Sequence, residues 1–208
     1  MTDSAPDRRR FFLRRLHSLS GVLPIGLYVL VHLGINSFAA SGPEIYDRVA
    51  ETLESLPYLI AVEIPLIWAP LLFHGLYGVM IWVRGEPNPL QYSYPNNWMY
   101  WLQRSSGIAA LVFIGWHFWQ TRLANYLYGV PVNFHMMADI LSQPGWLAFY
   151  VVGLTAVTFH FANGLRTFVL TWGVVTGTRA RRAAGRLSLA FGILVLAVSL
   201  AAVWAFIR

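Results

Sequence analysis

The chain has 208 residues, of which 57% are hydrophobic and only 12% charged, and its mean hydropathy is +0.53. That is the composition of an integral membrane protein and excludes an ordinary soluble domain. A formal charge of +6 and an isoelectric point near 10 invite a nucleic-acid reading, which fails because the arginines cluster at the ends of apolar runs, so no nucleic-acid partner is expected. Zero cysteine excludes disulfides, thiolate zinc sites and cysteine-ligated iron–sulfur clusters, so any such cluster in an electron path must belong to another subunit.

In chain order, residues 1–16 are polar and basic, and the apolar run after them lacks a small-residue cleavage site. This segment reads as a retained cytoplasmic tail. Five apolar segments follow, at about 18–40, 57–83, 98–127, 145–173 and 187–207, the second interrupted only by Glu63. Each is near or above the roughly 20 residues that a helix needs to cross about 30 Å of hydrocarbon. Runs of this length satisfy their backbone polar groups in lipid only as helices. Pro24, Pro65 and Pro70 fall inside spans, where neighbouring helices tolerate a kink. The expected fold is an all-α integral membrane protein, a five-transmembrane-helix bundle forming one membrane domain over residues 1–208.

Orientation follows from the positive charges, all of which are Arg. Arg8, Arg9, Arg10, Arg14 and Arg15 precede the first span, Arg84 and Arg104 border the loop between spans two and three, and Arg179, Arg181, Arg182 and Arg186 separate spans four and five. The opposite loops carry Glu44, Asp47, Arg48, Glu51 and Glu54, then Arg122 and Asp139. The bias places the N-terminus in the cytoplasm and the C-terminus outside.

Four histidines, His32, His74, His117 and His160, lie deep inside four of the spans. An imidazole in hydrocarbon is costly and normally has a partner, and iron suits four of them. At about 1.5 Å per residue, His32 lies roughly 25 Å from Arg15 and His117 roughly 20 Å from Arg104, in the outer half. His74 lies roughly 15 Å from Arg84 and His160 roughly 18 Å from Trp172, in the inner half or near the middle. The topology therefore predicts two bis-imidazole sites, an outer pair His32 with His117 and an inner pair His74 with His160, each holding a haem iron. Ser20-Gly21 and Ser106-Gly107 stand about three turns before His32 and His117, a faint internal echo. Gly78 and Gly164 follow His74 and His160 at i+4, on the same helix face, where small residues leave room for a flat macrocycle or serve close helix packing. Proton relays and zinc transport also use membrane histidines, but they usually recruit carboxylates beside them, and Glu63 is the only clear one. The fifth span has no histidine and is expected only to complete the bundle.

Several other residues carry two readings. His17, at the inner interface with Ser18, either snorkels among headgroups or hydrogen-bonds a haem propionate or quinone, and both are candidate cofactor-binding residues. Glu63 either supplies protons to a quinone or pairs with a neighbouring cation. Arg104 and Arg166 either neutralise haem propionates or anchor at the interface. His135, in an outer loop, is expected to be solvated, and Trp98, Tyr100 and Trp101 to be aromatic belt.

The chain resembles the cytochrome b subunit of succinate dehydrogenase and fumarate reductase, of the single-subunit, five-helix, di-haem kind. The resemblance runs over nearly the whole sequence. It is carried by Arg14-Arg15-Leu16-His17-Ser18-Leu19, Ser55-Leu56-Pro57, Leu72-Phe73-His74-Gly75-Leu76-Tyr77-Gly78, Gln91-Tyr92-Ser93-Tyr94, Leu102-Gln103-Arg104, Trp116-His117 and Phe159-His160-Phe161-Ala162-Asn163-Gly164-Leu165. It implies two haem b groups, the inner on His74 and His160 and the outer on His32 and His117. It also implies a membrane anchor for a flavoprotein and an iron–sulfur subunit in a bacterial cytoplasmic membrane. Electrons from succinate would pass through the iron–sulfur subunit and both haems to a quinone, commonly menaquinone, with no dicarboxylate chemistry on this chain. A di-haem cytochrome b of another respiratory enzyme, such as a hydrogenase or formate dehydrogenase, is the alternative with the same chemistry, and a haem-free ion transporter the alternative from another class.

Overall fold

The computed structural model describes residues 5–86 and 88–208, so the first four residues of the expected tail lie outside the described residues. Among the described residues every regular element is helical. Helix α1 (Ala5–Val22) carries the tail arginines straight into the first apolar run. It meets α2 (Pro24–Asn36) at Leu23, where proline occupies the first helical position and its missing N–H costs nothing. The bonds Leu23 N to Leu19 O (2.9 Å) and Leu27 N to Leu23 O (3.1 Å) bridge the joint, which makes it a kink and not a break. A tight turn, Ser37–Ser41, ends at Gly42 in a positive-φ conformation (97°) open to glycine, and the amphipathic α3 (Pro43–Glu54) follows.

Helix α4 (Leu59–Glu63) passes through a π turn, Ile64–Trp68, into α5 (Ala69–Val83). Pro65 sits within that widened turn and Pro70 near the start of α5, so the two prolines are absorbed where the normal ladder is already interrupted. Helix α6 (Pro95–Phe118) likewise continues through a π turn, Trp119–Leu123, into α7 (Ala124–Tyr128), which Gly129 stops with φ at 67°. Helix α8 (Phe134–Leu141) is capped by the Asn133 side chain, which accepts from Met136 N at 2.9 Å. The long α9 (Pro144–Thr171) and α10 (Thr178–Ile207) close the chain.

Four stretches are long and apolar enough to cross a membrane: Arg8–Ser41, Leu59–Val83, Pro144–Thr171 and Thr178–Ile207. They overlap the first, second, fourth and fifth predicted spans, though the first begins ten residues before the predicted 18 and α10 nine residues before the predicted 187, because the arginine-rich first turns of both remain helical. The third predicted span is one helical run from α6 to α7, but it does not reach the apolarity of the other four. Gln103, Arg104, Ser105, Ser106, Gln120 and Arg122 lower it.

Helix α9 is the hub, packed against α6 on one side and α10 on another, with α1 between α5 and α9. The packed core lies toward the end formed by α3, α8 and the C-terminus of α10, where Tyr46, Phe113, Phe134, Leu141, Tyr150 and Phe206 interlock. Outward-facing apolar residues such as Leu76 (67% exposed) and Leu187 (71%) would be a liability in water but face lipid at no cost.

Gly153 on α9 lets the Phe113 ring of α6 lie against the backbone, in the space a Cβ would fill. Gly153→Leu is therefore expected to lower stability by about 1–3 kcal/mol through overpacking, read as a lower melting temperature of the detergent-solubilised protein; an unchanged melting temperature would contradict this helix contact.

Candidate functional site

The structure brings His74 of α5 and His160 of α9 together with their rings nearly perpendicular, centroids 6.0 Å apart and planes at 85°. His74 Nδ1 lies 2.9 Å from the His17 backbone carbonyl, and His160 Nδ1 lies 2.9 Å from that of Gln103. A carbonyl can only accept, so in each ring Nδ1 carries the proton and Nε2 keeps its lone pair. A neutral imidazole held this way is prepared for a metal at Nε2.

The two halves of this site are built alike. Ser20 Oγ donates to the His17 carbonyl (2.9 Å), and Ser106 Oγ to the Gln103 carbonyl (3.1 Å). Gly21 leaves the space occupied by the His74 ring, and a Cβ on Gly107 would stand 2.8 Å from His160 Cε1. Both pairings span the same 57 residues of sequence, His17 to His74 and Gln103 to His160. The echo in the sequence is thus a repeated clasp in which a glycine on one helix seats a histidine from another.

Both histidines line a cavity of about 1030 Å³ that runs from Arg14 and Arg182 at its mouth to Val29 and Ile114 at depth. Gly78 and Gly164 line it too, as do the sequence-predicted His17, Ser18, Arg104 and Arg166. His17 Nε2 and Arg104 Nη1 are buried and have no hydrogen-bond partner among the described residues. The Arg104 guanidinium also lies 3.9 Å over the Tyr100 ring. Arg166 is oriented by Asn163 and Asn96, each at 3.4 Å. Ser18 Oγ donates to the Arg15 carbonyl (3.1 Å) and accepts from Trp172 Nε1 (3.0 Å), which ties α1 to the end of α9.

His32 of α2 and His117 of α6 form the second pair, with centroids 5.8 Å apart and planes at 66°. Tyr150 Oη donates to Gln120 Oε1 (3.4 Å), so it accepts from His117 Nδ1 at 3.1 Å and leaves Nε2 free. His32 is supported differently. The Asn36 amide donates to the His32 carbonyl at 2.8 Å and lies 3.4 Å from Nε2, a long contact that a ligand on that nitrogen would replace. Tyr46 donates to Asn36 Oδ1 (3.4 Å), and burial together with the Asp47 charge pushes its phenol up to about 12, which keeps it a neutral donor. Ten residues of α9 separate Tyr150 from His160, so the two pairs stand roughly 15 Å apart along the bundle.

Glu63 is found paired: Arg122 Nη2 lies 3.3 Å from its Oε1, while Arg122 Nη1 reaches Glu54 at 2.9 Å. This pair joins the two chain runs at their π turns, and Glu63 Oε2 remains buried without a partner among the described residues. His135 is exposed. The sequence reading did not single out Gln103, Tyr150 or Asn36 as supports for the histidines. The equal spacing of His17–His74 and Gln103–His160 was the available signal for Gln103; nothing in the sequence marks Tyr150.

Each pair supplies two ligands, and among the described residues no group of three His, Cys, Asp or Glu side chains could hold a metal ion. Two imidazoles are the axial set of a haem iron, whose other ligands come from the macrocycle. Centroids about 6 Å apart suit one metal between two rings, with about 2 Å to each nitrogen. The cavity, the glycine seats and the unpaired Arg104 and His17 nitrogens fit such a group at the His74 pair.

The family model of the succinate dehydrogenase/fumarate reductase transmembrane subunit matches residues 86–203. The succinate dehydrogenase cytochrome b558 subunit of Bacillus subtilis (strain 168) is 45% identical over 199 residues, covering 96% of this chain and 98% of the relative. The chain belongs to this family. As a succinate dehydrogenase/fumarate reductase transmembrane subunit it is a multi-pass membrane cytochrome b that serves an oxidoreductase complex and partners its other subunits, and the family implies haem b.

Gly107→Val places a branched side chain against the His160 ring and is expected to lower the haem-to-protein ratio of the purified subunit, whereas Gly145→Val, where nothing lies within 4 Å, leaves it unchanged. Equal ratios in the two variants would show that the glycine does not seat the ligand.

Proposed function

We propose that this subunit holds two haem b groups, the inner on His74 and His160 and the outer on His32 and His117. It would thereby link the iron–sulfur subunit, which is itself joined to the flavoprotein, to a quinone, taken to be menaquinone. The observation that carries the reading is the pair of facing imidazole pairs at two levels of one bundle. In this reading α6–α7 crosses the bilayer as the third of five spans, because it supplies one ligand and one clasp. The arginine bias puts the N-terminus and the inner pair on the cytoplasmic side of a bacterial membrane, with the C-terminus outside.

When bound, haem b would supply reversible one-electron chemistry. The protein's part is placement. His74 with His160, and His32 with His117, would each hold one such group through two imidazoles, a ligand set that suits electron transfer and disfavours oxygen binding. The carbonyls of His17 and Gln103, and Tyr150 Oη at the outer pair, hold each imidazole in one tautomer and raise its basicity. Arg104 and Arg166 are the donors that would meet the negative edge of the inner group, with His17 beside them in the same cavity. Arg104 and His17 each bring a buried nitrogen with no other partner among the described residues. Glu63 holds its free Oε2 in the outer half and can take up and deliver a proton to a quinone, with Arg122 keeping its other oxygen in place.

The test is spectroscopic. Dithionite-reduced membranes should show a b-type α band with two haems per chain. His74→Ala and His160→Ala should each remove the inner haem while the outer persists. Loss of both haems from every single variant would leave the pairing without support, and the absence of an α band would refute the haem reading. Glu63→Gln should keep both haems and lower quinone reduction by the intact complex about 100-fold, the lower range for a general acid–base group; undiminished turnover would remove Glu63 from the proton path.

A further inference from the structure

We propose that His17 and Gln103 are paired positioning residues, at equivalent places of the internal repeat, whose side chains fix the planes of the imidazoles His74 and His160. The proposal rests on the haem reading of that pair and goes beyond it, because neither residue is a ligand.

The bond from Nδ1–H to a carbonyl fixes one atom of a ring and the glycine seat one of its edges, while the tilt about that line is set by what lies against its face. A second contact is needed to set the plane. For His74 that contact is the His17 imidazole, which lies parallel to it with centroids 4.0 Å apart and planes within 8°. His17 is held there by the tilted Tyr77 ring at 5.6 Å. For His160 the second contact is the Gln103 side chain, whose amide donates to the His160 carbonyl at 3.0 Å and whose nitrogen stands 3.3 Å from Nδ1, a packing contact and not a hydrogen bond because both groups are donors. Gln103 is fixed in turn by Asn163, whose amide donates to Oε1 at 2.8 Å.

The same residue position therefore supplies both the carbonyl and the orienting side chain, as an aromatic plate in one half and an amide clamp in the other. The planes they set stand at 85°, and rings this close to perpendicular need separate restraints. The backbone carbonyls survive any substitution at 17 or 103, so ligation and ring orientation can be separated experimentally.

The intact membrane complex carrying His17→Ala, Gln103→Ala or His17→Gln provides the test, with haem content, ferric low-spin electron paramagnetic resonance and potentiometric titration as readouts. The largest g value of a low-spin haem depends on the angle between its two imidazole planes, a quantity that a purely structural role would not move selectively. Both alanine variants should retain two haems, while the g value and midpoint potential of the inner haem shift and those of the outer haem stay in place. His17→Gln, which brings to the first half the side chain used in the second, should return the inner signal at least halfway toward the parent. The proposal is overturned by parental inner-haem signals in both alanine variants, by equal shifts at both haems, by loss of the inner haem from both His17 variants, or by a His17→Gln signal no nearer the parent than that of His17→Ala. An inner signal that survives His74→Ala would instead show that the haem assignment itself is wrong.

Discussion

The bond from an imidazole Nδ1–H to the backbone carbonyl of a neighbouring helix is the constraint on which the arrangement depends. Burying an uncompensated polar ring in an apolar bundle costs several kcal/mol at the upper end of about 2–7 kcal/mol. A helical carbonyl can accept beyond its own ladder bond, and those of His17 and Gln103 are shared between the serine hydroxyls of Ser20 and Ser106 and the rings of His74 and His160. Each bond satisfies the ring, selects its tautomer and ties two helices together, α1 to α5 and α6 to α9. Glycines at 21 and 107 are needed because the bond works only if the ring can approach that closely.

This arrangement explains why the packing is uneven along the bundle. Interlocking aromatics fill the end near α3 and α8, where Tyr46, Phe134 and Phe206 meet. The opposite end holds a cavity of about 1030 Å³ bordered by arginines, with buried nitrogens on His17 and Arg104 that no described residue satisfies. Such unpaired donors in an apolar bundle are expensive unless an anionic group meets them. The aromatic end anchors the helices so that the other end can remain open between them.

Much of this was legible in the sequence, for identifiable reasons. Long charge-free runs read as helices because lipid leaves the backbone no alternative, and four of the five expected spans match helices apolar enough to cross. The pairing of His74 with His160 and of His32 with His117 could be anticipated from depth alone, since helical rise converts residue number into height. Supports that arrive from distant helices were not legible. Tyr150 is an ordinary interfacial tyrosine by composition, and only the fold carries its hydroxyl to His117. Glu63 could be flagged as unusual, but its two oxygens have different fates, one paired with Arg122 and one free, and no sequence pattern distinguishes them. The kinks at Pro24 and Pro65 were expected, whereas the π turn after His117 has no proline to announce it.

The helix that hydropathy ranks lowest is the one that carries most of the site. The run α6–α7 provides Gln103, Ser106 and Gly107 for one clasp, Arg104 for the cavity, His117 for the second pair and Arg122 for Glu63. Each of these side chains lowers its apolarity, and each finds its function on the inside of the bundle. Its face toward α9 is accordingly the most extensive helix contact in the protein. The apolar helices can rely on lipid for their environment, whereas α6–α7 must be enclosed by α5 and α9 to be stable in a membrane at all. Its polar residues therefore specify both its position in the bundle and the chemistry performed there, and the α6–α9 contact is where the fold and the proposed electron path become the same constraint.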